Sequence, residues 1–176
     1  MDFNKKYELA NGESVEVKTA TISDSRGIIN IWNNVVKERI YTMGLNFLSE
    51  DEEIKFIESL DERETILIAV LNDKIIGYLL LKIPARETKS TLHVAEVGTW
   101  VLNGHRRMGV AHALLLSAFI LAKRHSFEKM VIEVRHSNKK GLAFYKDHGF
   151  YEVGRFKNQI KIDGKYDDHI MMEKFL

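Results

Sequence analysis

The sequence predicts a mixed α/β domain: a central sheet, two helices from the first third of the chain, and a helix crossing over between two middle strands. Three observations predict it. Runs that alternate with period two are interleaved with runs whose apolar residues recur at helical spacing. The chain has 176 residues and 45% hydrophobic content, enough for one substantial core. No linker, repeat or low-complexity segment divides it, so 1–176 reads as a single domain.

In order, Val15 to Ala20 alternates and reads as the first strand. Ser23 or Asp24 caps a helix whose stripe is Ile28, Ile29, Trp32, Val35 and Val36. Tyr41 to Phe47 is a loop. Ser49 then caps a helix with Glu52 in the capping-box position, an acidic first turn, and Ile54, Phe56, Ile57 and Leu60 facing inward. Thr65–Leu71 and Lys74–Ile83, joined by Asn72-Asp73, form a hairpin that Pro84 ends. Arg86 to Ser90 is a polar connection and Thr91–Leu102 a long strand. The helix from Gly109 to His125 is apolar on nearly every side and predicts burial. Lys129–Val134 is a strand, Ser137 or Asn138 caps a helix reaching His148, and Gly149 before Phe150 stops it. Tyr151–Lys157 and Gln159–Phe175, with a turn at Asp163-Gly164, close the sheet.

A net charge of +1 argues against a general nucleic-acid binder. The absence of cysteine excludes disulfides, thiolate nucleophiles and cysteine-based metal sites. Met1-Asp2-Phe3-Asn4-Lys5-Lys6 has no apolar run behind it, and the greasiest run, Ala113–Ala122, is too short to span a bilayer. A cytoplasmic protein with no membrane partner is expected. His93, His105, His112, His125, His136, His148 and His169 are scattered without metal-ligand spacing, so no metal is expected.

The informative stretch runs from Glu96 to Ala111. An apolar strand ends at Val101, a turn follows with Asn103 and Gly104, and Arg106-Arg107-Met108-Gly109-Val110-Ala111 opens a helix. A strand stopping before such a start leaves backbone N–H groups unpaired at the positive end of a helix dipole, which suits an anion. Gly109 lets a phosphate approach the backbone, and Arg106 and Arg107 add charge for a diphosphate.

Two further stretches accompany it: Glu133-Val134-Arg135-His136-Ser137-Asn138, and then Gly141, Phe144-Tyr145 and Gly149-Phe150. With Val101 to Ala111 read as V-x-x-x-x-R-x-x-G-x-A, the set resembles the GCN5-related N-acetyltransferase (GNAT) superfamily along the whole chain, most sharply from Glu96 to Phe150. The resemblance implies the GNAT fold: a mixed central β-sheet flanked by helices, with splayed parallel middle strands, here Leu92–Leu102 and Lys129–Val134. It implies acetyl-CoA as co-substrate in the gap between them. Thr99, Trp100 and Val101 would lend backbone groups to the pantetheine arm. Arg106, Arg107, Met108, Gly109, Val110, Ala111 and His112 would wrap the diphosphate. Asn138 would contact the cofactor from its helix cap, and Tyr145 would sit near the thioester sulfur. Ala111 stands where the family commonly has glycine, and Gly141 where alanine is usual. The second departure weakens its helix by up to ~1 kcal/mol without touching the chemistry.

The reaction needs a deprotonated amine and a proton for the departing thiolate, which a tyrosine hydroxyl such as that of Tyr145 can donate. Three options stand for the base. Glu133 lies in the E-V-R-x-S-N string shared with ribosomal-protein N-terminal acetyltransferases. Glu96 matches the glutamate of phosphinothricin-type enzymes. A water relay is the third, because acyl transfer to an amine runs largely on positioning. For each glutamate the plain alternative is a strand carboxylate paired with a nearby cation. Trp32, Tyr41, Met43 and Phe47 either shape the acceptor site or pack the core. The expected activity is direct acetyl transfer from acetyl-CoA to a primary amine of a small molecule such as an amino acid. Acetylation of peptide N-termini is the second reading, and a non-catalytic acyl-CoA-binding module the third. Family members often dimerise, so a homodimer is possible.

Overall fold

The computed structural model describes residues 3–176. Met1 and Asp2, where the reading of a leaderless N-terminus begins, lie outside the described residues. Eight strands, β1 (Asn4–Glu8), β2 (Ser14–Thr19), β3 (Thr65–Leu71), β4 (Lys74–Lys82), β5 (Val94–Val101), β6 (Lys129–Arg135), β7 (Tyr151–Ile162) and β8 (Lys165–Phe175), form one sheet in the order β1-β2-β3-β4-β5-β6-β8-β7. Four helices flank it: α1 (Ser25–Glu38), α2 (Glu50–Glu58), α3 (Val110–Arg124) and α4 (Lys139–Asp147). Only β5 and β6 pair in parallel, joined by α3 as crossover; every other pair is antiparallel.

The core lies in two layers. Alternation along the strands sends Ala95, Val97, Val101, Met130, Ile132 and Val134 toward α3 and α4, where Ala113, Leu114, Leu115, Ala118 and Leu121 meet them. On the opposite face Ile66, Ile68 and Tyr78 pack against Ile28, Ile31 and Val35 of α1. The helix predicted to be buried is buried along most of its length, with Ile120 exposed at its far side.

Several elements differ from the sequence reading. A strand precedes the one expected first: β1 is polar and mostly exposed, so it carries no alternation, and Tyr7 fixes it by a 2.7 Å hydrogen bond with Ser117 of α3. The last strands form a single long hairpin. β7 runs through Asn158, where φ is 53° and the register shifts, so the break expected there is a bulge. On α1 the deeply buried stripe residue is Ile31 rather than Ile29. On α2 the buried residue is Glu53, while Ile54, Ile57 and Leu60 are half-buried and Phe56 is exposed. The hairpin turn is as expected, with Asn72 and Asp73 both at positive φ. The Ser49–Glu52 capping box also forms, through Ser49 Oγ and the Glu52 carboxylate.

The geometry that matters is the splay. β5 and β6 share only Val94–Lys129, Ala95–Met130 and Glu96–Val131 before they diverge, so the remaining edges face each other across an open V. Among the described residues, no helix is long and apolar enough to cross a membrane.

Candidate active site

The V widens into a cleft of about 570 Å³ between β5, the Asn103–Arg107 turn, the first turn of α3, and α4. Thr99, Trp100, Val101, Arg106, Arg107, Gly109, Ala111, His112, Asn138 and Tyr145 line it. Met108 and Val110 do not: Val110 is 1% exposed in the core, and Met108 packs against that core while its carbonyl accepts the Ala10 N–H at 2.9 Å. These two have only backbone to offer the cleft.

Local chemistry explains the cradle. Gly109 is the N-cap of α3 with φ of 102°, a left-handed geometry that any side chain would strain. Arg107 beside it is also at positive φ, 64°. The early N–H groups of α3 have no intrahelical acceptor and stand at the positive end of its dipole. Arg107 and Lys140 line the same space and make no ion pair among the described residues. An anion such as a diphosphate fits this donor set. Arg106 is differently employed. Its guanidinium forks onto Glu38 of α1 (2.7 and 2.5 Å), its Nε donates to the Val101 carbonyl at 2.8 Å, and it lies 4.2 Å over the Tyr41 ring. It therefore ties the Asn103–Arg107 turn to the end of α1.

On α4, Asn138 Oδ1 accepts the Gly141 N–H at 2.9 Å. A Cβ at Gly141 would stand 2.5 Å from Asn138 Nδ2, so this glycine makes room for the cap that lines the cleft. Gly141 thus has a second effect beyond weakening its helix: it shapes the cleft wall through Asn138. At the far wall His148 Nδ1 bonds the Phe144 carbonyl at 2.7 Å, which makes its Nε2 the acceptor for His112 Nδ1 at 2.7 Å. Burial first, then His148, holds the His112 imidazole below its ordinary value. Sequence reasoning did not single out Lys140 or His148, which lie outside the contiguous motif.

Tyr145 is 6% exposed among Phe144 and Phe150, yet it lines both the cleft and a second recess of about 80 Å³ that opens from it. Burial pushes its hydroxyl up to about 12, with polar groups of Thr99 pulling the other way. It stays protonated at neutral pH. The recess is bounded by Tyr41, Thr42 and Met43, by Gly98, Thr99 and Trp100, and by Ile132 to Arg135. Trp100 turns its ring onto Tyr78 (4.9 Å, stacked) and against the edge of Trp32 (5.5 Å). The loop that carries residues 41–43 is fastened on both sides of them: Arg135 Nη1 donates to the Arg39 carbonyl at 2.5 Å, Arg39 pairs with Asp163, and Trp32 Nε1 donates to the Asn46 carbonyl at 2.9 Å. Phe47 is 56% exposed and lines neither cavity.

The two candidate bases separate. Glu96 pairs with Lys82 at 3.2 Å on the α1 face of β5 and lines neither cavity. Glu133 lines the recess, with its side chain 45% exposed and Oε2 at 3.4 Å from His169 Nε2. Arg135, two residues on, is held by Asp167 at 3.0 Å. Burial raises the Asp167 carboxyl, but the Ser137 hydroxyl and the Arg135 guanidinium outweigh it and leave it below its ordinary value. Thr42 and Met43, on the acceptor-side loop, line the recess, and His169 stands behind Glu133 without lining either cavity.

Comparisons with known proteins agree with this architecture. The phosphinothricin acetyltransferase of Sinorhizobium meliloti, solved in complex with AcCoA, superposes with a TM-score of 0.86 at 20% identity, covering 92% of this chain and 88% of that one. The ribosomal-protein-alanine N-acetyltransferase of Brucella melitensis gives 0.85 at 20% identity, over 91% and 99%. At these identities the likeness is one of fold. The Drosophila melanogaster protein named "Probable N-acetyltransferase san" is 23% identical over 119 residues, which are 67% of this chain and 64% of that protein. The Acetyltransferase (GNAT) family model matches residues 32–150, from within α1 to the residue after the α4 stop, and over that span the chain belongs to the GNAT acetyltransferase family.

Proposed function

We propose that the protein transfers the acetyl group of acetyl-CoA directly to a primary amine of a small molecule such as an amino acid. The observation that carries this is the junction at Tyr145, where the anion-cradling cleft meets the small recess containing Glu133. The pantetheine arm would run along β5 past Thr99, Trp100 and Val101, adding a strand-like partner to the open edge. The diphosphate would lie on the α3 amides near Arg107, with Lys140 alongside. The amine enters through the recess and loses a proton to Glu133, directly or through a water. Its lone pair attacks the thioester carbonyl; the C–N bond forms, the C–S bond breaks, and Tyr145 protonates the leaving thiolate. The second proton leaves the nitrogen as the amide forms and passes through water to the Tyr145 phenolate, which restores the hydroxyl. No covalent enzyme intermediate is needed, in keeping with a chain that has no cysteine.

The strap formed by Tyr41, Thr42 and Met43 supports a small acceptor, because it leaves little width on the amine side. A homodimer through the β7 edge belongs to the same reading, supported by the exposure of Tyr151, Val153 and Phe156. The test is release of free thiol from acetyl-CoA with amino acids, polyamines and short peptides offered separately. Turnover with a small amine is expected, and turnover confined to peptides would reverse the choice of acceptor. Tight coenzyme A binding with no turnover on any amine would make the protein a non-catalytic binding module.

A further inference from the structure

We propose that His169 is a positioning residue that aims the Glu133 carboxylate at the incoming amine, an inference that rests on Glu133 acting as the base. β6 and β8 pair so that Arg135 faces His169 and Glu133 faces Met171, which sets His169 diagonally beside Glu133 on the recess side of the sheet. His169 Nε2 is buried and has no hydrogen-bond partner among the described residues. Its nearest acceptor is Glu133 Oε2 at 3.4 Å. A buried ring nitrogen without a partner is costly and calls for a reason. Here the reason is an acceptor that is almost within reach and free to move: Glu133 is 45% exposed on its side chain and makes no other ion pair or hydrogen bond among the described residues.

The surroundings select the tautomer. A lone pair on Nε2 would face a carboxylate, so the proton belongs on Nε2. Arg135 does not compete for Glu133, because its Nε is held by Asp167 and its Nη1 by the Arg39 carbonyl. From β7 the neighbour of the imidazole is the uncharged Phe156 ring at 6.0 Å. A small rotation of Glu133 completes the Nε2–H···Oε2 bond. One oxygen is then held, and the other is turned toward the recess and Tyr145. His169 itself lines neither cavity and touches no substrate; it acts through Glu133.

The test combines kinetics with a spectroscopic signature. Wild type, E133Q, H169Q, H169A and the H169A/E133Q double variant are compared with acetyl-CoA and whichever panel amine gives the highest turnover. E133Q is expected to lower kcat about a hundredfold or more. H169A should lower kcat about tenfold, the loss expected from one orienting hydrogen bond, with the KM for acetyl-CoA within about twofold. H169Q keeps an N–H donor at the same reach and should restore kcat to within about threefold of wild type. In the E133Q background H169A should cost nothing further. In proton NMR of the free protein, the buried Nε2–H should give a low-field signal that H169Q abolishes and E133Q moves upfield. An H169A defect that persists in full alongside E133Q, or a low-field signal indifferent to E133Q, overturns the proposal. A wild type that acetylates normally with E133Q unimpaired overturns the assignment of Glu133 instead, and the inference with it. Absence of turnover in wild type overturns the acetyltransferase reading and the aiming role that rests on it, while the NMR arm decides the His169–Glu133 contact by itself.

Discussion

Arg106 lines the cleft while its guanidinium is held from behind. Its charge is engaged by Glu38, and the two side chains are 24% and 26% exposed, so breaking the pair leaves a partly desolvated cation. Glu38→Gln is therefore expected to destabilise the fold by ~1–2 kcal/mol in urea denaturation. It should also raise the KM for acetyl-CoA, because the Asn103–Arg107 turn loses its tie to α1. Tyr145→Phe should do the opposite: little change in stability or in that KM, and a kcat lower by about a hundredfold or more. His112 gives a pH dependence whose sign follows from its depressed ionisation. The folded chain binds fewer protons there than the unfolded chain, so stability rises with pH in that window. It should decline as pH drops below the unfolded value of about 6.5 and level off once the folded value is passed. Urea midpoints compared at pH 7 and about pH 5.5, with His112→Asn flattening part of the difference, check this.

At the level of elements, α3 and α4 present their N-termini to one cleft through different devices: a left-handed glycine at Gly109 and an asparagine folded over Gly141. Gly141→Ala sets two effects against each other. Alanine favours the helix by ~1 kcal/mol. Its Cβ, however, displaces the Asn138 side chain and with it a cap of similar worth. The melting temperature should hardly move, while the KM for acetyl-CoA rises several-fold as Asn138 leaves the cleft wall. Legibility follows the same division. The cradle could be read because strand, turn and helix start are contiguous in sequence, as are the Asn138 cap and Tyr145 two turns later. β1 was invisible because an exposed polar edge strand has no pattern to display. The Glu53 position was missed because capping and acidity mark a helix start without saying which way its first turn faces. The recess was legible as separate candidates, among them Tyr41, Met43, Thr99, Glu133 and Tyr145, but not as one cavity. Thr42, Glu133 and His169 come together through strand pairing and a loop tether, and no local spacing records that.

For the whole molecule, the sheet ends in β7, which among the described residues pairs with β8 on one side and with no strand on the other, with Tyr151 and Val153 each 47% exposed and Phe156 50% exposed. Three large apolar side chains exposed on one edge strand, between charged neighbours, offer a surface for a second copy. Light scattering at tens of micromolar protein, a range in which about 8 kcal/mol of association suffices, should return twice the mass of the chain. Val153→Lys should return it to the single-chain mass with turnover retained, because β7 lies outside both cavities.

The short parallel seam between β5 and β6, three residue pairs long, has a thermodynamic corollary. Past Glu96, the main-chain groups of β5 that face away from β4 are withheld from the β5–β6 ladder, so the native state is left with bonds still to be made, and a ligand that makes them is in effect a missing ninth strand. Saturation at about a hundred times the dissociation constant should add ~2.7 kcal/mol to unfolding. Amide deuterium uptake should slow from Gly98 to Leu102 and from Glu133 to His136, the two lips of the gap, while the outer hairpins exchange as before.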